Sequence, residues 1–113
     1  MADHGRVHIV TSKQDWDSKL LEAQASKQVV VVDFTAVWCG PCKRIAPEFA
    51  KFSEQFPKII FLKVDVDEVP EVAEKCGIEA MPTFQVYINN EMADQLVGAS
   101  IDKLKQLIEK HAN

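Results

Sequence analysis

A chain of 113 residues is long enough for one domain that buries about two-thirds of its unfolded surface, and too short for two. Its 17 acidic and 13 basic residues leave a net charge of −4, with no basic cluster or aromatic-interleaved basic stripe, which argues against a nucleic-acid partner. No window is apolar enough to cross a bilayer, Met1–Arg6 lacks the apolar core of a secretory signal, and Ala2 rules out N-myristoylation, so a cytoplasmic protein without membrane attachment is expected.

In chain order, residues 1–6 are expected to be flexible, and the short apolar stretch Val7–Val10 reads as an edge strand. Thr11 or Ser12 is placed to cap a helix through about Ser26, with Trp16, Leu20 and Leu21 on its buried face. Val29–Thr35 is too continuously apolar for a strand with one wet face, so it reads as a central strand covered by helices on both sides. A helix then begins near Lys43, with Ile45, Phe49, Phe52 and Phe56 as an aromatic-rich core stripe. Pro47 interrupts it and should kink it, because proline lacks an N–H and its ring crowds the carbonyl of Lys43.

Ile59–Asp65 reads as a second buried strand, parallel to the first because a helix connects them. Pro70 can open a short helix through about Cys76, closed by Gly77 in the left-handed conformation. Thr83–Ile88 and Gln95–Val97 flank Asn89-Asn90, a pair that tolerates positive φ and suits a hairpin turn. Ser100 can cap a final helix whose apolar face is Ile101, Leu104, Leu107 and Ile108. The order β-α-β-α-β-α-β-β-α describes an α/β chain: one mixed sheet with helices on both faces, as a single domain over residues 1–113.

The chemistry concentrates in Trp38-Cys39-Gly40-Pro41-Cys42, between the central strand and the helix. Free backbone N–H groups and the positive end of the dipole at a helix start favour a thiolate, so Cys39 reads as a nucleophile. Three residues along a helix return a side chain to the same face, so Cys42 can attack a mixed disulfide formed on Cys39. The competing readings are a structural disulfide and half of a zinc site. A disulfide here would close only a tiny loop and constrain the unfolded chain little. Zinc needs about four ligands, and Cys76, His4, His8 and His111 show no spacing that completes a second knuckle, so no metal is expected. Three cysteines are also too few, and odd in number, for a secreted disulfide scaffold.

Asp33, Trp38-Cys39-Gly40-Pro41-Cys42-Lys43, Pro47, Lys63, Met81-Pro82-Thr83 and Gly98 fall in the order and spacing of the thioredoxin family. The resemblance runs from about Val7 to His111, and Val31–Cys39 looks most like the mainly cytosolic h-type members of plants and green algae. Two positions depart from common family patterns: Asn90 stands where many members have glycine, and Thr35 replaces a tryptophan of bacterial members, as it does in h-types. The resemblance implies the thioredoxin fold, with about five strands and about four helices. It also implies reduction of target-protein disulfides by dithiol–disulfide exchange, with Cys39 as nucleophile and Cys42 as resolving thiol. No cofactor is bound; electrons come from NADPH through a flavoprotein thioredoxin reductase, or for some h-types from a glutathione/glutaredoxin donor. Partners are that reductase and disulfide-containing proteins, and the chain is expected to be a monomer, a dimer through Cys76 or the active-site rim being the alternative. A binding module with the same fold, acting by docking rather than turnover, is the rival function.

Around the pair, the residues alone leave alternatives that the resemblance narrows. Asp33 is either a local cap on the turn or a buried acid; the family implies an acid with a raised pKa that takes a proton from Cys42. Lys63 either tunes Asp33 or points its amine into solvent. Pro41, at the first helical turn, and Gly40 shape the site. Pro82 is trans in most X–Pro bonds but cis in this family, which sets the Met81 backbone beside the cysteines. Trp38, Gly40, Ala80, Met81, Val97, Gly98 and Ala99 are the implied apolar docking rim, partial core packing being the other reading for Trp38. Cys76 is a small apolar side chain or a regulatory thiol.

Overall fold

The computed structural model describes residues 4–112. Its elements are β1 (His8–Ile9), α1 (Lys13–Ser26), β2 (Val30–Thr35), α2 (Gly40–Gln55), β3 (Ile60–Asp65), α3 (Pro70–Lys75), β4 (Thr83–Ile88), β5 (Glu91–Val97) and α4 (Ile101–Lys110). The five strands form one mixed sheet in the order β1-β3-β2-β4-β5. β1 and β2 run parallel to β3, and β4 is antiparallel to both β2 and β5. The expected sheet, its central strand, its parallel pair and its terminal hairpin are all present.

Strand periodicity divides the core in two. Successive side chains of a strand point to opposite faces. Val30, Val32 and Phe34 of β2 therefore pack with Trp16, Leu20 and Ala23 of α1 and Val72 of α3. Val31 of β2, Phe61 of β3 and Phe84 and Val86 of β4 face the other way, against Ile45 and Phe49 of α2 and Leu104, Leu107 and Ile108 of α4. Phe49 is fully buried, its ring centroid 5.3 Å from Phe61 and 5.7 Å from Phe84. Each such side chain contributes about 1.5–3 kcal/mol through apolar area removed from water.

Local signals account for the element ends. Ser12 Oγ accepts from the Asp15 N–H at 3.0 Å and caps α1, and Ser100 Oγ accepts from the Lys103 N–H at 3.2 Å and caps α4. Gly77 follows α3 with φ +72°, where L side chains are strained. Asn89 and Asn90, at φ 54° and 66°, form the two-residue turn whose twist matches paired strands. Pro47 lies inside α2 without ending it.

Three expectations change. Leu21 is exposed and Ala23 is buried instead, because 16, 20 and 23 share one helical face while position 21 turns off it. Ile101 is 44% exposed, since it occupies the first turn of α4, ahead of the residues that reach the sheet. β5 begins at Glu91 rather than Gln95, because the tight turn pairs Ile88 with Glu91 at once; its edge position leaves polar residues where the sequence shows no apolar run. Of the N-terminal residues expected to be flexible, 1–3 lie outside the described residues. His4–Arg6 form a turn on α2, with the Arg6 N–H donating to the buried Ser53 Oγ at 2.8 Å.

Candidate active site

Strand β2, the loop 36–39 and the first turn of α2 deliver both cysteines to one end of the sheet. Cys39 is the N-cap of α2, in extended conformation, and its Sγ accepts from the Cys42 N–H at 3.2 Å. The helix start thus turns a free N–H onto this sulfur, the arrangement that favours a thiolate when the pair is reduced. The cysteines are joined as a disulfide with Cα atoms 5.3 Å apart. Pro41 sits in the first turn of α2, where its missing N–H costs no intrahelical bond. Gly40 faces open space: a Cβ there would meet nothing within 4 Å, so no steric demand of the fold requires glycine.

Asp33 is the fourth of the six residues of β2, not a cap on the turn, and is fully buried. Alternation puts it on the face of Val31, the one covered by α2 and α4. Its partners in register are Lys63 on β3 and Phe84 on β4. Neither carboxylate oxygen has a hydrogen-bond partner among the described residues. Burial pushes its pKa up from 3.8 to about 7, against a smaller downward pull from the Lys63 charge. Lys63 is half-buried and lines a cleft of about 410 Å³ together with Cys42, Ala36, Val37, Lys43 and Ile9.

The Met81–Pro82 peptide is cis. The Met81 carbonyl oxygen lies 3.8 Å from Cys39 Sγ, and Met81 packs beside the small cluster of Ala36, Cys39 and Cys42. The Gly98 N–H donates to the Pro82 carbonyl at 2.9 Å, and Thr83 Oγ1 donates to the Ala80 carbonyl at 2.6 Å, so the end of β5 and the loop before β4 are tied together. Trp38 is 64% exposed rather than packed in the core, and Val97 is 56% exposed. Ala80 is exposed, and Met81, Gly98 and Ala99 are half-buried. Cys76 lies apart from the pair, half-buried at the end of α3, and receives a hydrogen bond from the Tyr87 hydroxyl at 3.2 Å. Burial raises the pKa of this thiol.

Two exposed residues that adjoin or bond to Trp38 are not singled out by the sequence. Val37, 70% exposed, adjoins Trp38 and carries the same apolar character, so its place in the motif was the signal for it. Asp67 accepts a 2.8 Å hydrogen bond from Trp38 Nε1 across 29 residues of chain, a contact that no local spacing encodes.

The thioredoxin family model matches residues 7–110. A "Thioredoxin H-type" of Chlamydomonas reinhardtii is 56% identical over 109 residues, covering 96% of each chain. "Thioredoxin 1" of Plasmodium falciparum is 53% identical over 106 residues, covering 94% of this chain and 98% of the relative. Among solved structures, a Nicotiana alata thioredoxin superposes with a TM-score of 0.92 at 35% identity, over 98% of this chain and 96% of that one. This chain belongs to the thioredoxin family, has the thioredoxin fold, and is a thiol–disulfide oxidoreductase that reduces protein disulfides through the Cys39–Cys42 pair.

Proposed function

We propose the following division of labour within that reaction. The Cys39 thiolate attacks one sulfur of a target disulfide, forming a Cys39–target bond and releasing the other target sulfur as a thiolate. Cys42, deprotonated by Asp33, then attacks Cys39 Sγ, forming the Cys39–Cys42 bond and releasing the second target thiolate. Two electrons pass to the target and the pair ends oxidised. The observation that carries this assignment is the hydrogen bond from the Cys42 N–H to Cys39 Sγ, which singles out one sulfur for anionic stabilisation. Asp33, with a pKa near 7, is matched to taking a proton near neutral pH, and Lys63 tunes it from the neighbouring strand.

The exposed surface of Trp38, Val97 and Ala80, with Met81, Gly98 and Ala99 behind it, is the docking rim for the target segment. Electrons return to the pair from NADPH through a flavoprotein thioredoxin reductase, a glutathione/glutaredoxin donor being the alternative. The protein works as a cytosolic monomer, the setting its likeness to h-type thioredoxins suggests.

Insulin-disulfide reduction driven by NADPH and a thioredoxin reductase tests the scheme. Cys39→Ser should abolish turnover, and Cys42→Ser should accumulate a reducible covalent adduct through Cys39. Turnover by Cys39→Ser would reverse the assignment of the nucleophile. An inactive wild type that also fails with a chemical dithiol would favour the binding-module reading; activity restored by the dithiol would point to a different donor.

A further inference from the structure

With 64% of its surface exposed, Trp38 is held only weakly by packing. The indole N–H is a donor only, so a polar restraint on this ring requires an acceptor. Asp67 supplies it: Oδ2 accepts from Trp38 Nε1 at 2.8 Å, with a carboxylate rather than a neutral oxygen. Asp67 is itself fixed. Asp65, the last residue of β3, accepts through Oδ1 from the Asp67 N–H at 2.8 Å and the Glu68 N–H at 3.2 Å. Its carbonyl accepts from the Glu68 and Val69 N–H groups at 3.1 and 2.9 Å. A continuous chain of hydrogen bonds therefore runs from the end of the sheet through Asp65 and Asp67 to the ring.

We propose that Asp67 is a positioning residue for protein-disulfide reduction, which fixes the orientation of Trp38 and so sets how tightly protein targets dock, without touching the reacting sulfurs. The proposal rests on reading Trp38 as part of the docking rim. Without the bond the ring samples other rotamers, and a target must freeze it on binding. A small disulfide that reaches Cys39 without spanning the rim meets no such penalty. Asp67 thus separates protein targets from small ones.

The test compares Asp67→Ala, Asp67→Asn and Trp38→Phe on insulin, with dithiothreitol recycling the pair, and on a small aromatic disulfide in single turnover of pre-reduced protein freed of dithiothreitol. Asp67→Ala should raise KM for insulin by about three- to ten-fold, with kcat and the small-disulfide rate unchanged, the cost expected for one side chain ordered on binding. Asp67→Asn keeps an acceptor and should recover most of the affinity. In the Trp38→Phe background Asp67→Ala should have no further effect. Fluorescence anisotropy should report a freer Trp38 in Asp67→Ala, because the only other tryptophan, Trp16, is buried. If Trp38→Phe raises KM and Asp67→Ala does not, the positioning role falls and the rim stands. If Trp38→Phe has no effect on KM, the rim reading fails and takes this proposal with it. Equal slowing of both substrates by Asp67→Ala overturns the proposal in favour of general damage to the site.

Discussion

Asp33 is the residue whose placement costs most. A carboxyl on the covered face of a central strand, with both oxygens unpartnered among the described residues, is stable there mainly as the neutral acid. Unfolded it titrates near 3.8, and folded it titrates near 7. Between those values the folded chain keeps a proton that the unfolded chain has released. The stability this group allows is therefore greatest below 3.8 and falls as the pH rises toward 7, by about 4 kcal/mol in all. Asp94 acts in the opposite sense: hydrogen bonding from His111 lowers its pKa to about 2, so its contribution is lost only in strong acid. Comparison with Asp33→Asn isolates the buried acid. The variant should be more stable than wild type at pH 8 by about 1–3 kcal/mol, after the penalty for a buried amide without partners, and less stable than wild type by about 1–3 kcal/mol at pH 4, where wild type has regained about 4 kcal/mol. Urea unfolding at both pH values measures it, and parallel stability–pH curves for the two proteins would refute the shifted titration. If Asp33 is also the proton acceptor, the same variant should release the mixed disulfide more slowly while forming it at the normal rate, as stopped-flow detection of each step would show.

Among the elements, the hairpin shows how far local chemistry reaches. Both turn residues adopt positive φ, at a cost of about 1–2 kcal/mol per residue for most L side chains. They are not equivalent, however. Asn89 Oδ1 also accepts from Gln24 Nε2 at 3.1 Å, tying the turn to α1, whereas Asn90 supplies only its backbone geometry among the described hydrogen bonds. Asn90→Gly should therefore leave stability unchanged or raise it slightly, and Asn90→Val should lower it by about 1–2 kcal/mol, read from the urea midpoint. A neutral valine substitution would show that the turn relaxes into another type. This hairpin was legible because Asn-Asn after an apolar run has a mechanism, and the covered strand β2 was legible because four consecutive valines admit no wet face. Leu21 and Ile101 depart from expectation because apolar character near a helical stripe specifies neither the full helical angle nor the position of the sheet beneath. The Trp38–Asp67 bond was not legible at all, since it joins a loop to the end of a strand through tertiary geometry alone. Of the site, the motif placed Cys39, Cys42 and Pro41 on a helix start. For Asp33 the sequence left a turn cap and a buried acid equally open, and register settled its location.

At the scale of the molecule, the sheet separates what holds the fold from what does the chemistry. The disulfide, Met81 and Gly98 gather where β2 ends, where β4 begins and where β5 ends, all at one end of the sheet. The core of α1 and α3 lies on the face opposite α2, and Leu20 sits within it, 5% exposed. Truncating Leu20 removes a buried side chain and leaves a cavity, which costs about 2–5 kcal/mol. The lost contacts reach Asp33, α2 and the cis-proline loop through the shared sheet, whose strands β2, β3 and β4 all contribute to this core and are pinned to one another, and through Val66, which packs against both this core and the cysteine cluster. Leu20→Ala should therefore lower the urea midpoint substantially while kcat and KM for insulin stay at wild-type values well below the unfolding transition. A loss of turnover in fully folded Leu20→Ala would mean that the two faces are mechanically coupled through the sheet and Val66, and that the geometry at Cys39 depends on packing across the whole sheet.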